Sequence, residues 1–171
     1  MTRLPNSKTV TYEEWLRMPE VTDAIEEVVN GEIHITPPAK FRHARIVERL
    51  QRALHAALDP DRFFVATGSF ALIIRKSPLT SRNPDLAAFE MATIDEQDGY
   101  IHSAPQLLVE VLSRSNTRRE REEKLADYAS IGVPEVWAVS PETRAVEVIS
   151  NIDRPQKTMA YPTIFEGIWP D

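Results

Sequence analysis

No cysteine occurs among the 171 residues, which removes disulfides, thiolate metal sites and cysteine nucleophiles together. Its absence also suits a reducing cytoplasm. Glycine is scarce, and the five glycines, at 31, 68, 99, 132 and 167, stand far apart. A phosphate-cradling loop and a dinucleotide fingerprint are therefore both missing. No serine lies in a G-x-S-x-G turn. The four histidines, at 34, 43, 55 and 102, lack the paired helical spacing of a zinc site. No run approaches the ~20 apolar residues of a membrane span, and the opening MTRLPNSKTVTYEEW has no signal-peptide core, so a cytoplasmic protein without membrane attachment is expected. What chemistry the chain performs must come from carboxylates and lysines.

The length suits one globular domain over 1–171, with a helix and hairpin in 11–36, a core in 40–150 and a tail in 151–171. The formal net charge is −6, from 26 acidic and 20 basic residues. The charge is unevenly spread. Lys40 to Lys76 holds eight basic residues against three acids, and Arg114, Arg118, Arg119, Arg121 and Lys124 form a second basic cluster. Such faces are compatible with a polyanion or with simple solvation.

Thr11-Tyr-Glu-Glu14 has the pattern of a capping box and opens a short helix that stops before Pro19. Asn30-Gly31 between IEEVV and EIHIT predicts a β-hairpin. Ile46, Val47, Leu50, Ala53, Leu54, Ala57 and Leu58 form one apolar helical stripe that ends at Asp59-Pro60. FFVAT, SFALIIR and the segment from Asp85 to Phe89 read as strands, with Ser77-Pro78 and Asn83-Pro84 as turn material. Residues 91–105 read as a polar loop. QLLVEVL is the most apolar strand and suits a central position, followed by a helix near Arg118–Ser130 and by strands GVPEVWAVS and AVEVIS. A helix joining two apolar strands implies a right-handed crossover and a parallel pair. The class is α/β (α+β): a mixed central sheet flanked by helices, in the order α-β-β-β-α-β after an N-terminal hairpin.

Glu110 interrupts the most apolar strand and shares a face with Leu108 and Leu112. A carboxylate there is costly unless paired, protonated or bound to a cation. Asp85 alone would be a turn residue, but its strand precedes that of Glu110, and two carboxylates on adjacent strand ends can share magnesium or manganese. Lys124 lies on the helix side carrying Leu125 and Tyr128, where it either points to the sheet or pairs with Glu120.

NPDLAAFE, followed by LLVEVLSRSNTRREREEKLADYASIGVPEVWAVSPE, resembles the Uma-type (Uma-two) restriction endonuclease family of the PD-(D/E)XK nuclease superfamily. The likeness extends over AIEEVVNGEIHITPPAKFRHARIVERLQRAL and TIFEGIWP, hence nearly the whole chain. It implies a restriction-endonuclease-like core, with Asp85 and Glu110 as the motif acids and catalytic residues. The superfamily's usual lysine position is Leu112 here, so the resemblance gives that role to Lys124. It also adds Glu27 to Asp85 and Glu110 as a candidate metal-site acid. Arg114 stands where the family often has proline. His43 matches the pattern too and is read as a polar helix-end residue.

The resulting expectation is a magnesium-dependent (or manganese-dependent) endonuclease that hydrolyses DNA phosphodiester bonds, with Arg42, Arg45, Arg49, Arg118 and Arg119 holding the backbone without reading sequence. No nucleotide cofactor is implied. The competing reading is a catalytically degenerate nuclease-fold protein acting as a nucleic-acid-binding or regulatory module. A homodimeric interaction role would be supported by Trp15, Trp137 or Trp169 if exposed.

Overall fold

The computed structural model describes residues 2–3, 9–68, 70–113, 116–150, 165 and 167–169. The strands are β1 (Thr2–Arg3), β2 (Ile25–Val29), β3 (Glu32–Thr36), β4 (Phe63–Thr67), β5 (Leu72–Lys76), β6 (Leu79–Arg82), β7 (Leu86–Glu90), β8 (Glu96–Gln97), β9 (Tyr100–Ile101), β10 (Leu107–Val111), β11 (Glu135–Ser140) and β12 (Ala145–Ser150). The helices are α1 (Tyr12–Trp15), α2 (Phe41–Ala57) and α3 (Arg118–Ser130). The α+β class holds, but the strands form two sheets. One is five-stranded, in the order β12-β11-β10-β7-β4, and the other seven-stranded, β1-β3-β2-β6-β5-β9-β8.

The apolar strand β10 does take the centre of the five-stranded sheet. It runs parallel to β11, with α3 as the connection, and antiparallel to β7. The stripe of α2 buries Ile46, Leu50 and Leu54 against Val65, Leu86, Ala88, Leu107 and Val109 on one face. On the other face Ala87, Phe89, Leu108 and Val136 pack with Tyr128 of α3 and Leu72 of β5. α3 and the second sheet therefore share the face toward which Glu110 points, by its alternation with Leu108.

The hairpin forms as its turn chemistry requires. Val29 pairs with Glu32, and Asn30 and Gly31 hold φ of 51° and 80°, both in the left-handed region that a two-residue turn demands. The capping box of Thr11 and Glu14 starts α1, and a second, of Thr117 and Glu120, starts α3.

Two segments differ from expectation. Part of the turn material between Ser77 and Pro84 is β6, whose Thr80, Ser81 and Arg82 are buried although polar. Periodicity of apolar residues cannot reveal a strand whose buried residues are mostly polar, among them Arg82, which is held by ion pairs with Glu27 and Asp127. The polar loop contains the tiny hairpin β8–β9, turned by Asp98 and Gly99 at φ of 55° and 82°. An Asp-Gly pair is a turn signal, but strands of two residues carry no alternation. Arg114 and most of the 151–171 tail lie outside the described residues, whereas Phe165 and Trp169 pack against the core and Ile168 is buried within it.

Candidate active site

In the antiparallel register Leu86 sits opposite Val109. One step further along each chain sets Asp85 opposite Glu110, on one face. Pairing stops there, and the Asp85 side chain replaces the missing partner: its Oδ2 accepts the Val111 N–H at 2.7 Å. Its Oδ1 lies 2.9 Å from Nε2 of His43, in the first turn of α2. Both side chains are about one-fifth exposed, at 21% for His43 and 20% for Asp85.

Glu110 faces α3. Lys124 Nζ donates to both of its carboxylate oxygens, at 3.2 and 3.1 Å, and the Tyr128 hydroxyl donates to Oε1. Lys124 and Tyr128 reach one carboxylate because residues four apart share a helix face. Lys124 Nζ also lies 3.0 Å from Glu27 Oε1 of β2. Its partners are therefore Glu27 and Glu110, and not Glu120, whose Oε2 accepts the Thr117 N–H at 2.8 Å. Glu27 further accepts from Arg82 Nη1 at 3.3 Å and from the Asn83 N–H at 3.1 Å. Arg82 closes the chain on Asp127 Oδ2, with Nε and Nη2 at 2.8 and 2.6 Å. Four carboxylates thus surround two permanent cations and one histidine.

The protonation preferences follow from that crowding. Burial, together with the charges of Asp85 and Glu27, pushes the Glu110 carboxyl above its ordinary range, although Lys124 and Tyr128 pull against them. Burial alone would raise Glu27 as well, but Lys124 and Arg82 reverse it and hold that carboxyl low. Lys124 is raised despite burial, because Glu110 and Glu27 both favour the ammonium. Burial and the neighbouring Glu110 push the Tyr128 phenol well up, so it stays a donor. His43 is raised because Asp85 outweighs its desolvation.

Glu110, Lys124 and Glu27 thus form one ion-paired cluster, while Asp85, paired with His43, acts on Glu110 through its charge. Glu110, Lys124 and Tyr128 line a cavity of about 280 Å³; Asp85 and Glu27 are not among its lining residues. Glu27 is buried and held in ion pairs with Arg82 and Lys124. Among the described residues no three acid or histidine side chains are grouped to hold a metal directly. The donors that face each other, Asp85 and Glu110, are nevertheless hard oxygen ligands, and magnesium commonly takes one or two carboxylates while keeping waters. The donor set fits such an ion.

The arginines divide. Arg42 Nη2 donates to the Pro141 carbonyl at 3.1 Å, and Arg49 Nη1 to the Trp169 carbonyl at 2.6 Å, so both tie segments of the chain together. Arg45 lies over the Phe41 ring at 6.0 Å. Arg118 and Arg119 are exposed and pair along the helix with Glu122 and Glu123 at 2.7 and 2.8 Å. Trp15 and Trp137 are buried, so neither offers an interface. Tyr128, Arg82 and Asp127 were not among the expected site residues. Tyr128 had a signal, its four-residue spacing from Lys124, whereas Arg82 sat in apparent turn sequence.

No curated protein matches the chain. A solved structure described as a putative nuclease belonging to DUF820, from Anabaena variabilis, superposes with a TM-score of 0.71 at 21% identity, covering 92% of this chain and 92% of that one. That likeness concerns the fold. A family model covers far more specific ground: Uma2, "Putative restriction endonuclease", matches residues 12–163. With that match across most of its length, the chain belongs to the Uma2 family of restriction-endonuclease-like proteins.

Proposed function

We propose that this protein is a magnesium- or manganese-dependent endonuclease that hydrolyses phosphodiester bonds of DNA. The observation that carries the reading is the placement of Asp85 opposite Glu110 at the end of the central strand, with a buried lysine on the second acid. A divalent ion held by these two carboxylates would polarise a phosphoryl oxygen and lower the pKa of a water. The chain's own groups do the rest. Asp85 is aimed by His43 and the Val111 N–H, and Glu110 by Tyr128 and Lys124. Lys124, kept protonated by its two acids, places a positive charge where a phosphoryl group gathers negative charge in the transition state. Glu27 and Arg82 act through Lys124 by fixing its ammonium.

The test is a plasmid-nicking assay with a magnesium and manganese titration. Wild type is expected to cleave only with the ion. Glu110→Gln, which keeps the shape but loses the charge, should be inactive with its fold unchanged by circular dichroism. Lys124→Met should retain ion binding and slow the chemical step. Cleavage by Glu110→Gln at the wild-type rate would overturn the reading. Salt-sensitive DNA binding with no cleavage at any ion concentration would instead leave a nuclease scaffold used for binding.

A further inference from the structure

Phe41 is the most exposed large apolar side chain among the described residues, at 78% against 53% for Phe64, the next. It opens α2, and two residues later in the same turn His43 holds Asp85 at 2.9 Å. A helix turns about 100° per residue, so two steps set Phe41 and His43 on opposite flanks of the helix start. Four steps bring Arg45 back to the flank of Phe41, and its guanidinium lies over the ring, 6.0 Å from the centroid. The first turn of α2 is therefore a ridge. Asp85 is held from one flank, and a ring covered by a cation stands on the other.

The charge around that ring has one sign. From Ile33 to Val47 the chain carries no acid, whereas Lys40, Arg42 and Arg45 are basic. Arg42 is committed to the Pro141 carbonyl, but Lys40 is exposed and Arg45 turns to the ring. Glu48, the first acid along this flank, is held by Arg52 at 2.6 Å. An exposed ring amid positive charge suits a polyanion that also has flat faces. Nucleic acid has both, since bases stack on aromatic rings and on guanidinium planes while the phosphates meet cations. Inside a duplex those faces are covered by neighbouring bases, so an unpaired base is the one that can present a face to Phe41.

We infer that Phe41 and Arg45 form a platform on which an unpaired DNA base near the scissile phosphate stacks, with Lys40 against the strand's backbone. This inference rests on the nuclease reading and adds the residues that grip the strand across the ridge from Asp85. Every base has a stacking face, so the platform selects an unpaired strand and not a sequence. Phe41 touches neither the ion nor the reacting atoms. It holds substrate and transition state equally, so its loss falls on KM and spares kcat.

The experiment uses the full chain in metal-free buffer containing a chelator, so that binding is read without cleavage. The probes are a short single-stranded oligodeoxynucleotide and the same strand fully paired. Phe41→Ala should weaken single-strand affinity about tenfold and leave the salt slope unchanged, because stacking releases no counterions. Phe41→Leu, which keeps apolar bulk without a ring, should lose as much, whereas Phe41→Tyr should bind as wild type does. All three should keep the wild-type melting temperature, since the ring is exposed. Phe41→Trp adds a fluorophore whose emission the single strand should quench and the paired form should not. Wild-type affinity in Phe41→Ala, full affinity in Phe41→Leu, equal quenching by the paired probe, or no binding by wild type overturns the inference. The same oligonucleotides are then incubated with magnesium, where Phe41→Ala should raise KM about tenfold at constant kcat. The ring-dependent binding pattern without any cleavage leaves the platform assigned and removes the nuclease reading. Cleavage with KM and kcat both unmoved by Phe41→Ala removes the platform and keeps the nuclease.

Discussion

Arg82→Met tests whether the ion network behind Lys124 holds the seven-stranded sheet to α3. Arg82 is 4% exposed and bridges Glu27 of β2, also 4% exposed, to Asp127 of α3 at 20%. Removing one partner from a buried ion pair costs about 3–5 kcal/mol. Here Glu27 keeps Lys124 and the Asn83 N–H, and the partly exposed Asp127 can regain water. The loss should therefore fall near the lower end, ~3 kcal/mol, which lowers the urea midpoint by about 1.5 M for a slope of ~2 kcal/mol per M. Adding Glu27→Gln should recover part of that loss, since the uncompensated charge disappears with it. The pH dependence has a definite sign. Glu27 is held below its ordinary range, so its contribution is present above the unfolded-state value and is lost as pH falls through the folded one. In Arg82→Met the folded value moves back up, and the deficit against wild type should shrink on acidification. A loss below ~1 kcal/mol, strict additivity with Glu27→Gln, or a deficit that grows in acid would refute the argument.

Metal-dependent cleavage should rise with pH through the elevated pKa of Glu110, because the protonated acid cannot hold a cation. Lys124→Met deletes a charge that lowers this pKa, so the acidic limb of residual activity should move to higher pH; an unmoved limb would show that Glu110 does not govern it. Arg45→Gln should reduce the salt slope of DNA binding by ~0.9 without changing the melting temperature. Arg49→Gln should lower the melting temperature as well, because Arg49 holds the Trp169 carbonyl; equal melting curves would deny it that anchoring role. Gly31→Ala should cost ~2 kcal/mol in chemical denaturation, since the added Cβ would lie 2.8 Å from Thr9 Cβ at a left-handed φ; a neutral effect would mean the turn relaxes freely.

Local chemistry written in single segments was legible from the chain. Asn30-Gly31 makes its hairpin, the α2 stripe finds its sheet, and QLLVEVL takes the central position because each depends on neighbours a few residues apart. Glu110 was conspicuous for the same reason, a charge in an apolar strand. Lys124 was ambiguous, since helix geometry allowed either Glu120 or the sheet. Only the packing of α3 over β10 and β2 decided it, by bringing Glu27 and Glu110 within 3.0 and 3.1 Å of one ammonium. The division into two sheets, the strand at Leu79–Arg82 and the partnership of Arg82 with Asp127 had no local pattern to announce them. Arg82 is stabilised by partners 45 and 55 positions away, and such partners exist only after the chain has folded.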